Sequence, residues 1–87
     1  DYRIKENIRM IEDTIDQLRP VSYYNTLTRR QELGFIAHEL QECFPYLVLG
    51  NKDALHYQYI EYTGLVALLT KEIQDLKMRI KKLQSLK

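Results

Sequence analysis

Isoleucine and leucine recur near the start of the chain at Ile4, Ile8, Ile11, Ile15 and Leu18, at alternating steps of four and three. That spacing predicts a helix stripe, most secure from about Arg9 to Leu18. Pro20 ends it, because proline disfavours helical geometry in the residue before it and has no N–H to donate. Val21–Asn25 (VSYYN) then reads as a strand by its β-branched and aromatic content. After a polar connection, TLTRRQE, Leu33–Ala37 (LGFIA) reads as its antiparallel neighbour.

Ala37–Phe44 sets Ala37, Leu40 and Phe44 on one helical face and stops at Pro45. The run YLVL is followed by a turn composition, GNKDA. Leu55–Ile60 (LHYQYI) alternates as a strand would, with Leu55, Tyr57 and Tyr59 on one face and His56, Gln58 and Ile60 on the other.

From Glu61 onward no proline intervenes and Gly64 is the only glycine. Val66, Leu69, Ile73, Leu76, Ile80 and Leu83 alternate steps of three and four, which places Val66, Ile73 and Ile80 at a and Leu69, Leu76 and Leu83 at d of a heptad repeat. Glu72 then falls at g and Lys77 at the following e, a pair that would meet between parallel chains. A single amphipathic helix lying on its own domain is the alternative. The flanking Lys71, Lys77, Arg79, Lys81 and Lys82 leave a stripe narrower than such a helix usually presents. A self-associating helix fits better, and the seam alone leaves dimer and trimer open.

The expected architecture is therefore α+β. A small head of short helices and strands spans residues 1–60 and a coiled-coil helix spans 61–87, as one domain in all. Eighty-seven residues bury little of their unfolded surface. The single cysteine excludes an internal disulfide, so association is the expected source of further stability. Thirteen basic and twelve acidic residues give a net charge of +1, which supplies no field for nucleic acid. No apolar run approaches the roughly 20 residues that span a bilayer. Neither a nucleic-acid nor a membrane partner is expected.

Candidate chemistry is sparse. His38 and Glu42 stand four apart, but a structural zinc needs about four ligands and His56 is the only other histidine, so a solvated helix face is the better reading and no metal or cofactor is expected. Cys43 beside Phe44 reads as a small buried hydrophobe. Neither Ser22 nor Ser85 has the partners of a triad. Tyr57, Tyr59 and Tyr62, among seven tyrosines, suit subunit contacts better than base stacking, for which no basic groove is evident. Lys5 on its own is an ordinary surface lysine.

The segment Asp1-x-Arg3-x-Lys5-x-Asn7-Ile8, followed by LRPVSY (Leu18–Tyr23), GFIAHELQECFP (Gly34–Pro45) and YIEYTGLVALLTKEI (Tyr59–Ile73), resembles the intramolecular chaperone domain at the C-termini of phage endosialidases, tail spikes and neck appendages. A related domain occurs in a membrane-bound eukaryotic transcription factor. The resemblance implies an intertwined homotrimer that brings an upstream fibrous or β-helical portion of the same precursor into register. It further implies release by a serine–lysine self-cleavage, during virion assembly in the host cytoplasm. In that family a serine precedes the Asp-x-Arg-x-Lys stretch. Lys5 corresponds to the dyad lysine, the general base, which works when burial lowers its pKa; Asp1, Arg3 and Asn7 correspond to cleavage-site neighbours. His38 departs from the family's usual glutamine. The serine position lies before Asp1, so the chain is expected to match the released product or to begin just past the nucleophile. A plain coiled-coil adaptor with no enzymatic history is the competing reading.

Overall fold

A computed structural model describes residues 1–86. The strongest local signal in the chain builds its longest element, a helix over Tyr62–Ser85 (α2), with good helix formers and no interior proline. Gly64 lies in the first turn of α2, directly over Leu47, where a Cβ would collide with the Leu47 side chain. Because that methyl is missing, the helix sits down on the head and buries Leu65 and Leu68. At one end of the chain Asp1 accepts a hydrogen bond from the Arg3 N–H and caps a short 3₁₀ turn at Tyr2–Ile4.

The polar connection closes a β-hairpin of Val21–Asn25 (β1) and Arg30–Gly34 (β2), in antiparallel register from Val21 opposite Gly34 to Asn25 opposite Arg30. The Asn25 side chain accepts from the N–H groups of Leu27 and Thr28 at 2.9 and 3.1 Å, and Arg29 closes the loop with φ +57°. An Asx turn of this kind favours a tight connection, which draws Arg30, Gln31 and Glu32 into the second strand. The strand expected over Leu33–Ala37 therefore begins and ends about three residues earlier.

Ala37–Cys43 forms the expected helix (α1), a 3₁₀ turn follows at Pro45–Leu47, and a two-residue ladder joins Val48–Leu49 (β3) to Tyr59–Ile60 (β4). Only those last two residues of the expected Leu55–Ile60 strand pair; Leu55 is 92% exposed on the loop between them. Gly50, at φ +87°, turns the chain into that loop. Gln41 and Gln58 both donate to the Gly50 carbonyl, so the loop is fastened at its base to α1.

The helix expected from Arg9 to Leu18 does not form. Residues 8–14 form no helix or strand, and only a turn at 15–17 follows, with Leu18 N–H bonded to the Ile15 carbonyl. Asp13, Thr14, Asp16 and the two isoleucines are poor helix formers, and so short an isolated helix is marginal. Ile11, Ile15 and Leu18 do turn inward, but as points on a strap laid across the core. The apolar spacing is the same for both conformations.

The core itself is Leu40, Phe44, Leu47, Val48, Leu65 and Leu68, drawn from α1, the turn after it, β3 and the start of α2. A radius of gyration of 16.7 Å, against about 12 Å for a compact domain of this length, reflects α2 running on past the head. Replacing Gly64 by alanine stabilises an ordinary helix; here the overpacked Leu47 contact reverses the sign. Gly64→Ala is expected to cost about 1–3 kcal/mol, read as a lower urea midpoint.

Candidate functional site

Two features remain after the core is accounted for: the N-terminal motif and the exposed side of α2. In the motif, Asp1 and Arg3 meet as a fork. Oδ1 of Asp1 accepts from the Arg3 Nε at 3.0 Å, and Oδ2 accepts from Nη2 at 2.6 Å. Asn7 adopts φ +54°, a left-handed geometry that asparagine tolerates better than most residues, and redirects the chain into the strap. Lys5 lies between them in extended conformation, with its N–H bonded to the Tyr2 carbonyl at 3.1 Å. Its side chain is exposed and its ammonium makes no ion pair among the described residues. Tyr2, Ile4, Ile8 and Met10, its neighbours, are all at least 72% exposed.

The strap downstream of the motif is tied to the head by side chains. Arg19 donates to both carboxylate oxygens of Glu39 on α1, at 2.9 and 2.6 Å. That bond raises the Arg19 pKa and holds the Glu39 carboxyl below its ordinary value. Glu32 is likewise lowered, first by the Asn25 amide that donates to it at 3.0 Å. Tyr46 donates to Asp13 at 3.5 Å, and the Cys43 thiol reaches Gln17 at 3.8 Å. Half-buried Cys43 packs on the core, as a small hydrophobe does. Among the described residues no three His, Cys, Asp or Glu side chains gather where a metal could bind, and no helix is long and apolar enough to cross a membrane.

The six heptad residues do not enter the core. Val66, Leu69, Ile73, Leu76, Ile80 and Leu83 are each 41–64% exposed, on a stripe roughly a quarter turn around α2 from Leu65 and Leu68. Sequence reasoning missed those two leucines, although their three-residue spacing beside Gly64 was the available signal. It placed Glu72 at g opposite Lys77 at e but missed its intrachain role, in which Oε1 accepts from the Ile15 N–H at 2.7 Å. Tyr57, Tyr59 and Tyr62 are exposed as well. The whole chain exposes 8059 Å², about half as much again as the roughly 5,400 Å² of a compact monomer of its mass. The α+β head therefore leaves an apolar helix stripe and the N-terminal segment exposed.

A sequence model of the family described as chaperone of endosialidase matches residues 1–49. The chain belongs to that family. It is also 29% identical, over 105 aligned positions, to the long tail fiber protein Gp37 of Salmonella phage S16. That match covers 99% of this chain and 14% of the phage protein, so the chain spans about one seventh of the length of its curated relative. No solved structure matches it.

The strap tie at Glu39 and the hairpin bond at Glu32 carry a pH dependence. Glu39 and Glu32 have lowered folded-state values, so their contribution is complete above the ordinary carboxylate value of 4.5 and is lost as pH falls through the lower folded value. Urea midpoints measured from pH 7 down to about pH 3 are expected to drop in that acidic window, and the part due to Glu39 is expected to vanish in Arg19→Ala.

Proposed function

We propose that the chain is the intramolecular chaperone of a phage tail-fibre precursor: it self-associates as a homotrimer, aligns the upstream fibre and is released by serine–lysine self-cleavage. The observation that carries the reading is the exposed heptad stripe on a chain with half as much surface again as a compact monomer. Exposure on that scale suits the large interfaces of obligate assemblies. Family membership and the resemblance to a tail fibre supply the chaperone role and the upstream partner.

The physical logic of such a device is direct. Chains of a fibre must meet in register before non-local strand pairing offsets its loop-closure entropy, and slow pairing exposes aggregation-prone edges. A trimerising terminus raises the local concentration of the ends and aligns them. Its removal afterwards leaves the fibre kinetically trapped. In this reading the host cytoplasm is where assembly and release occur.

In the cleavage step, the neutral amine of Lys5 accepts the proton of the serine hydroxyl while the serine oxygen attacks the scissile carbonyl. The lysine returns that proton to the leaving amine, and water then hydrolyses the ester. A lysine base works in a desolvated setting, which the exposed Lys5 of a single chain lacks. The reading therefore assigns the missing enclosure to the assembly, where neighbouring chains or the fibre cover Tyr2, Ile4, Ile8 and Met10.

Light scattering on this chain is expected to give three times 10.5 kDa; a monomer at micromolar concentration sinks the reading. Leu76→Lys, which places a charge in the seam, is expected to break the assembly. In a precursor that includes the serine before Asp1 and a stretch of fibre, Lys5→Ala is expected to assemble normally and remain uncut. Full-rate cleavage in that variant removes Lys5 from its role and favours the plain coiled-coil adaptor.

A further inference from the structure

We propose that Glu72 is the positioning residue of the self-cleaving segment: from the assembly helix it clamps the strap that carries Lys5, and so makes cleavage depend on the seam being occupied. The proposal deepens the self-cleaving reading and rests on it. The strap between Lys5 and Pro20 joins no β-ladder. Its ties from Asp13, Gln17 and Arg19 all reach α1 or the turn that follows it. The Glu72 bond is different in two respects. It comes from α2, and it takes hold of backbone, the Ile15 N–H, across 57 residues of sequence at 2.7 Å. A charge-assisted bond to a main-chain donor fixes where the strap stands along the helix whatever its side chains are.

Its place on α2 links it to assembly. Glu72 continues the buried line of Leu65 and Leu68 one turn further along the helix, half-buried, with the seam residues Leu69, Ile73 and Leu76 beside it. A groove of about 250 Å³ runs alongside, lined by Ile15, Asp16, Glu72 and Arg79 together with the seam residues Leu69, Ile73 and Leu76. A second helix seated on the seam must cover that groove. In the single chain the clamp is only part-buried and water competes for the Ile15 amide. Once covered, the same bond acts in a lower dielectric and strengthens. Ten residue steps separate Ile15 from Lys5, a span of at most about 33 Å that the left-handed turn at Asn7 shortens, so the clamp sets the origin of the segment. The exposed Ile4, Ile8 and Met10 supply the apolar contacts that finish its placement against the assembly.

The test compares Glu72→Ala, Glu72→Gln and Lys5→Ala in the serine-containing precursor, reading assembly mass, hydrogen exchange at the Ile15 amide and the rate of self-cleavage. Glu72→Ala is expected to assemble, to exchange Ile15 at least tenfold faster and to cut at least tenfold more slowly. Glu72→Gln, whose amide oxygen still accepts, is expected to recover most of both. Wild-type cleavage in an assembled Glu72→Ala overturns the proposal, as does equal slowing in Glu72→Ala and Glu72→Gln. If Glu72→Ala does not assemble, Glu72→Asp decides instead. Its shortened carboxylate falls short of Ile15, so slow cleavage supports the clamp and wild-type cleavage overturns it. Cleavage at full rate in Lys5→Ala fails the underlying reading, independently of how the Glu72 variants behave.

Discussion

Six buried side chains are all the interior the described residues have, and every other feature is arranged around that shortage. Leu40, Phe44, Leu47, Val48, Leu65 and Leu68 bring together α1, the turn after it, β3 and the first turns of α2. Ordering a backbone of this length opposes folding by far more than so few leucines and a phenylalanine return. The strap leans on this nucleus through the partly buried Ile11, Ile15 and Leu18, and Phe35 does so just past the hairpin. In the proposed assembly, what a larger domain does with its own core falls to surfaces that face outward.

Legibility in the sequence followed locality. The long helix, α1 and the hairpin are each specified by neighbours within a few residues: an unbroken stripe, a proline stop, an Asx turn at Asn25. The strap was misread because Ile11, Ile15 and Leu18 are spaced for a helix yet satisfied by a core drawn from Leu40 to Leu68, which no local window contains. Leu55–Gln58 failed as a strand for a related reason: alternation was present, but no partner segment lies opposite. On α2 the six-residue apolar stripe was plain and is exposed, whereas Leu65 and Leu68 became legible as a second face only once Leu47 was seen beneath Gly64.

The N-terminal motif divides in the same way. The pairing of Asp1 with Arg3 and the left-handed turn at Asn7 are complete within one chain. Lys5 is presented by them, outward and unpaired among the described residues. In the proposed chaperone, the chain carries a base in waiting whose enclosure belongs to its partners, so that premature cutting is prevented by geometry rather than by an added inhibitor. The electrostatic ties of the strap serve that arrangement, since they are surface bonds of modest strength that hold a segment without locking it.

Gly64 has a bearing on symmetry. Because Leu47 occupies the space where its side chain would be, α2 cannot roll on the head, and the angle between the buried face and the heptad stripe is fixed. In any assembly of identical copies that angle is decisive: it determines whether successive subunits close into a ring about an axis or continue as an open filament. In the proposed assembly, a single absent methyl group in the first turn of the helix would thus set the point group of the complex.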